Sequence, residues 1–411
     1  MIIATLDAPE TLGVVMVAAA IAGTLAAVAS GHGIALPVVV VELIAGVLIG
    51  PHVGGLHTDY ILKFFADLGL GLLFFLAGYE IDPEAIRGNP FRLALFGWLA
   101  SLAIAYILGA ALENAGVVVS LIFTGSALAT TALGMLVPVL SDTDDLRTAF
   151  GTHVLAIGAV GEFGPLMLVS LVLARDGTLH NAELLGVFAV CAVFGGIAFG
   201  LLARRSRGIL ERTVEQSSQL AIRWLLVLAF AITLLASELG LDLVIGGFIG
   251  GLITRQVVGG ELPPIVQSKL NAVSYGIFVP FFFVVSGMRL DVSALFASPG
   301  GVAEIALFFV LFLIVRGAPA LLLYRGVLSR GERHALALLS STQLPLVVAI
   351  TGLATAAGHM RASTAAALVS AAVLSTLVFP ILGLMIAKRG RLEFAAPEPP
   401  PDPGSVAAAV T

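Results

Sequence analysis

Glu162 is a carboxylate in the middle of an otherwise apolar run, residues 149–174, that also carries Gly158, Gly161, Gly164 and Pro165 and is long enough to span a bilayer. Holding a charge at that depth costs several kcal/mol, so an intramembrane carboxylate marks a transport site by default. Pro165 has no N–H to offer the carbonyl four residues back, which predicts a free Gly161 carbonyl beside Glu162. A carboxylate next to an unpaired carbonyl can bind a dehydrated cation. Thr130, Thr131, Ser341 and Thr342 offer more of the oxygen ligands that hard cations prefer. The same carboxylate can instead take a proton, and proton and cation would then compete for one site. The alternative is a protonated Glu162 that only hydrogen-bonds a neighbouring helix.

Arg316 is the second intramembrane charge, three residues before Pro319. A lone guanidinium at that depth needs a partner. It could pair with Glu162, or it could neutralise carbonyls and helix ends exposed where other helices break. Other polar residues carry weaker signals. Glu42 and Asp67 lie close enough to span ends for hydrated or capping roles, and His153 is about half a turn off the Glu162 face, which reads as structural. Asp142, Asp144 and Asp145 read as a solvated acidic loop, and the single cysteine, Cys191, as a buried thiol.

The elements that must position these groups are membrane helices. Hydrophobic residues form 59% of the chain and charged ones 11%, too few charges for a soluble protein. Apolar runs of about 20 residues recur along nearly the whole length, the pattern of a helical bundle and not of an outer-membrane barrel. This is an all-α integral membrane protein with about 13 transmembrane spans, at 11–30, 34–50, 60–79, 92–112, 116–139, 149–173, 183–203, 219–238, 241–254, 270–288, 302–324, 333–357 and 363–387. The first span is not preceded by a basic segment, so it is not expected to be a cleaved signal peptide. Arginines and lysines collect on one side, from Arg87 and Arg147 through the cluster at Arg204, Arg205 and Arg207 to Lys388 and Arg389. The positive-inside rule then puts the N-terminus outside and the C-terminus in the cytoplasm. A proline-rich stretch makes 391–411 an expected disordered cytoplasmic tail after a transmembrane domain of 1–390.

Two spans share an interruption. The fifth contains Thr130, Thr131, Gly134 and Pro138, and the twelfth contains Ser340, Ser341, Thr342 and Pro345. They lie seven spans apart, an odd number, so equivalent spans run in opposite directions. Two inverted repeats, spans 1–6 and 8–13 joined by a linker helix at 183–203, would produce this, and paired broken helices point to a transporter's binding site.

At this level the chain resembles the monovalent cation:proton antiporters of the sodium/hydrogen exchanger superfamily, in the branch that includes potassium-efflux antiporters. The stretches that carry the likeness are 36–51, 68–80 with Leu76-Ala77-Gly78-Tyr79-Glu80, 246–252 with its four glycines, and 280–288 with Pro280-Phe281-Phe282-Phe283. The resemblance implies crossed broken helices, and a homodimer in the cell's inner (plasma) membrane. It also implies a moving core of spans within 92–173 and 302–387, a scaffold of spans within 11–79 and 219–288, and elevator-like alternating access. Its substrates would be a monovalent cation, Na+ or K+, and H+; no cofactor, enzymatic activity or nucleic-acid partner is expected.

The chain departs from the family pattern in places. Where the sixth span usually carries an aspartate preceded by Asp, Asn or Gln, this chain has Gly161-Glu162. One ionisable group is left there, so one-for-one, electroneutral exchange is the simplest expectation. Arg316 stands where the family carries Lys or Arg. The Gly-Glu-Phe motif of potassium-efflux members is replaced by Gln343-Leu344-Pro345, and no nucleotide-binding regulatory domain is recognised, both of which weigh against glutathione-gated potassium efflux. An organic-solute symporter would need an organic substrate and would leave Glu162 dispensable or serving sodium alone. A non-transporting sensor would bind without exchange.

Overall fold

The computed structural model describes residues 8–32, 36–81, 87–133, 136, 140, 145, 148–172, 219–238, 243–258, 262–291, 293 and 300–394. Among them no strand occurs. The helices are α1 (Ala8–Gly31), α2 (Val38–Ile49), α3 (Tyr60–Glu80), α4 (Asn89–Asn114), α5 (Leu121–Leu128), α6 (Ala149–Val172), α7 (Leu220–Glu238) and α8 (Leu243–Val258). There follow α9 (Pro264–Arg289), α10 (Gly301–Leu323), α11 (Arg330–Ser340), α12 (Pro345–Ala356) and α13 (Ala362–Phe394). Eight stretches of described helix are long and apolar enough to cross a membrane, one of them formed by α11 and α12 together. Large apolar side chains such as Phe96, Ile107, Val310 and Leu322 face outward on α4 and α10, as lipid-facing helices require. The linker at 183–203, Cys191, Asp142 and Asp144 lie outside the described residues.

Proline sets several boundaries. Pro37 holds an extended backbone, so α2 starts at Val38, later than the span expected from 34. Pro264 sits in the first turn of α9, where its missing N–H costs nothing, and the helix starts six residues before the expected 270. Inside α9 and α10 the residues just before Pro280 and Pro319 form single π turns, Ser274–Phe278 and Leu313–Gly317, which absorb the hydrogen bond each proline cannot make. At the C-terminal end α13 continues through 391 to Phe394, so the expected tail does not begin at 391.

Two further readings are corrected by burial. Glu42 lies inside α2, 4% exposed, with its Oε2 unpartnered, so it is neither hydrated nor a cap. Asp145 is buried too, and its carbonyl accepts hydrogen bonds from the backbone N–H (3.0 Å) and the hydroxyl (2.7 Å) of Thr148, which excludes a fully solvated acidic loop.

The glycine-rich stretches explain how α2, α3, α8 and α9 pack. Gly78 abuts the Phe248 carbonyl, Gly251 the Phe75 carbonyl, Gly247 the Gly71 carbonyl, and Gly46 and Gly287 the facing backbones of α9 and α2. In lipid no hydrophobic drive joins helices, so backbones in direct contact supply the association through dispersion. A Cβ at position 251 would run into the Phe75 carbonyl and lie 2.6 Å from the Tyr79 backbone nitrogen, neither of which a rotamer change can move. Gly251→Ala is therefore expected to cost about 1–3 kcal/mol, read as a lower melting temperature in detergent, whereas Gly13→Ala, which meets nothing, should leave it unchanged.

Candidate ion-binding site at the helix crossing

α5 stops at Leu128, and the chain runs irregular through Thr130, Thr131 and Ala132. α11 stops at Ser340, and Ser341 to Leu344 are non-helical before Pro345 restarts the chain as α12. The two breaks bond to each other. Ala132 N–H donates to the Thr342 carbonyl at 2.9 Å and the Thr131 hydroxyl to the Ser340 carbonyl at 2.6 Å. Gln343 Nε2 donates to the Leu128 carbonyl at 3.1 Å, while its Oε1 can accept from the Thr130 hydroxyl at 2.9 Å. This amide orientation is the one the bonds permit, since a carbonyl cannot donate. Gln343 is held in turn by α13: its N–H donates to Ser375 Oγ at 3.0 Å, and its carbonyl lies 3.1 Å from both the Ser375 and Thr376 hydroxyls.

Glu162 comes to this crossing from α6. It is 3% exposed, and its Oε2 accepts the Leu133 N–H at 3.2 Å, one residue beyond the Ala132–Thr342 bond. The predicted free Gly161 carbonyl is corrected: proline frees it from the helix, but the Thr131 N–H donates to it at 3.1 Å. The opening that Pro165 makes in α6 is therefore filled by the first break, and Gly161 acts as a splice between helices instead of an ion ligand.

Arg316, in the π turn of α10, is 3% exposed. Its Nε donates to the Thr131 hydroxyl at 2.9 Å, with the Ser340 carbonyl at 3.4 Å; Nη1 donates to Ser101 Oγ and Nη2 to the Ile157 carbonyl, each at 3.3 Å. Of the two roles open to it, the structure takes the second. No cationic side chain among the described residues makes an ion pair with Glu162. The guanidinium instead ties α4, α6 and both breaks together, at the carbonyl end of α11, where a positive charge is favoured. Gly161 makes room for it: a Cβ there would sit 2.5 Å from Arg316 Nη2 and 2.7 Å from Thr131 Oγ1. The departure at Gly161 thus has a steric reason, because the arginine fills the space a side chain would take.

The sequence-derived oxygens divide. Thr342 Oγ1 is buried and has no hydrogen-bond partner, whereas the Ser341 hydroxyl turns back to the Ala337 carbonyl at 2.7 Å. The Thr130 hydroxyl lies 2.9 Å from both the Ala127 carbonyl and Gln343 Oε1, with one proton to give. His153 packs edge-on to the Tyr324 ring, 5.3 Å between centroids. Ser101, Gln343, Ser375 and Thr376 were not singled out from sequence as site residues. Ser375-Thr376 is a hydroxyl pair within an apolar run, the same signal that marked the fifth and twelfth spans. Gln343→Leu should remove the side-chain bridge between the breaks at a cost of about 1–2 kcal/mol, seen as a lower melting temperature together with slower transport.

Two interrupted helices crossing beside a buried carboxylate, inside a helical membrane bundle, define a secondary transporter. The chain belongs to the sodium/hydrogen exchanger transmembrane family, whose model matches residues 16–388. It is similar to a Methanocaldococcus jannaschii protein named "Probable Na(+)/H(+) antiporter 3", 28% identical over 270 residues that cover 64% of this chain and 67% of the relative. Cation/H(+) antiporter 17 of Arabidopsis thaliana is 24% identical over 380 residues, covering 86% of this chain and 46% of that protein, so this chain spans under half of the plant relative's length. The solved sodium proton antiporter MjNhaP1 from Methanocaldococcus jannaschii at pH 8 shares the fold, with a TM-score of 0.60 at 17% identity over 94% of this chain and 98% of that one.

Proposed function

We propose that the protein is an antiporter that exchanges a proton for a monovalent cation, Na+ or K+, at Glu162. The observation that carries this reading is a buried carboxylate held by one backbone N–H, with no ion-pair partner among the described residues, where two broken helices cross. Such a group must be neutralised to stay in a dry interior, and either a proton or a bound cation can do so. The unpartnered Thr342 hydroxyl and the hydroxyl of Thr130 are the neutral oxygens best suited to replace water around the cation. Gly161, Thr131 and Ser341 then serve the frame, since their polar groups already bond within it. Arg316 holds the crossing together and leaves the negative charge at Glu162 uncompensated.

With one titrating group, one proton leaves for each cation that binds, and exchange is electroneutral. Alternating access by movement of the core spans against the scaffold, a homodimer, and a plasma-membrane orientation with the N-terminus outside complete the reading. Family membership and the antiporter names of the relatives support it over the symporter and sensor readings. The test is cation-driven recovery of a preset pH gradient in proteoliposomes, with and without a voltage clamp. A rate that the clamp leaves unchanged is expected; a rate that follows the imposed voltage would overturn the one-for-one stoichiometry.

A further inference from the structure

Glu80 closes α3, and its Oε2 is buried with no hydrogen-bond partner. Its place follows from the glycine packing: Gly78, two residues earlier, lies against the Phe248 carbonyl on α8, and the Phe248 ring stacks on Phe163 of α6 at 5.1 Å between centroids. Phe163 adjoins Glu162 in sequence, so the packing of α3 on α8 and of α8 on α6 links the end of α3 to the turn of α6 that carries Glu162. Arg255 is fixed beside Glu80, its Nη1 donating to the Tyr79 carbonyl at 3.1 Å and its guanidinium 5.8 Å from the centre of the Tyr79 ring.

We propose that Glu80 is a second cation station, on the route between Glu162 and the membrane face that carries Arg87 and Arg255, which the loop charges make cytoplasmic. The unpartnered carboxylate oxygen is the ligand it offers, and a monovalent cation that has shed part of its water is the occupant. Arg255 tempers the attraction so that the ion is drawn in but not held, as conduction through successive sites requires. The repulsion between the two carboxylates favours a single cation or proton shared along the route. This inference rests on the exchange reading above.

The test is the cation KM of exchange measured separately in inside-out and right-side-out membrane vesicles. Removing the charge of a carboxylate that meets the cation on its way in should weaken cation capture roughly tenfold. Glu80→Gln is thus expected to raise KM about tenfold at the Arg255 face, with the KM at the opposite face close to wild type. In a Cys191→Ser background, Glu80→Cys should behave like Glu80→Gln; a sulfonate-bearing methanethiosulfonate should restore the low KM and a trimethylammonium-bearing one raise it further. A KM unchanged at that face, an equal change at both faces, insensitivity to the sign of the reagent, or variants that do not fold would each assign Glu80 a structural role and overturn the proposal. Wild-type vesicles that exchange while the variants match them remove this inference alone; wild-type vesicles that do not exchange remove the antiport reading and this one with it.

Discussion

Arg316→Met should yield a protein that melts well below wild type and does not exchange. The methionine keeps most of the apolar volume of the arginine stem but leaves the Thr131 and Ser101 hydroxyls and the Ile157 and Ser340 carbonyls without their shared donor. The Thr131–Ser340 bond and the Thr131–Gly161 bond survive, so the breaks stay in contact with each other and with α6 but lose the tie to α4 and to the Ile157 carbonyl. Hydrogen bonds to a charged group each contribute about 1.5–3 kcal/mol, and some of the orphaned groups will find new partners, so a net loss on the order of 3 kcal/mol is expected. Arg316→Lys keeps the charge but not the fork that reaches four groups, and should fall between the two. Melting in detergent followed by transport in proteoliposomes checks the series. An Arg316→Met protein with wild-type stability and rate would show that the guanidinium does not hold the crossing.

Glu162→Gln should remove exchange while leaving the fold intact. The glutamine carbonyl can still accept the Leu133 N–H, so the anchoring bond is retained and the melting temperature should stay near or above wild type, since a buried ionisable group is gone. The amide can neither release a proton nor neutralise a cation by charge, so both halves of the exchange lose their carrier. Cation-driven pH recovery should drop to the background of protein-free liposomes. Stability is kept here and lost in Gly251→Ala, so comparison of the two melting temperatures separates the ion site from the packing frame.

Much of this architecture is legible in the sequence because bilayers impose it. Runs of about 20 apolar residues have few other uses, and a carboxylate or guanidinium inside one needs a reason, which is how Glu162 and Arg316 stand out. The two breaks are legible because hydroxyl clusters and proline weaken a helix that has no water to turn to. What distance along the chain conceals is who satisfies whom. Pro165 does free the Gly161 carbonyl, but that Thr131 would cap it depends on a residue 30 positions earlier. The two roles open to Arg316 differed only in where four other elements would place their carbonyls. Glu42 misled because position in α2 does not decide burial: the helix starts only four residues before it, at Val38, yet α2 packs its backbone directly on α9 and Glu42 is enclosed. The glycine stretches at 68–80 and 246–252 each read as family motifs, yet only the fold reveals that they are the two sides of one contact, Gly78 on Phe248 and Gly251 on Phe75.

Competition of proton and cation for one carboxylate is measured most directly by calorimetry on the purified protein. Sodium or potassium is titrated in at fixed pH in buffers of different ionisation enthalpy, so that the slope of heat against buffer enthalpy counts the protons released. With Glu162 protonated at the start, release approaching one proton per bound cation is the expected result, and Glu162→Gln should release none. Cation binding without proton release across the pH range, or release that persists undiminished in Glu162→Gln, would contradict exchange at Glu162.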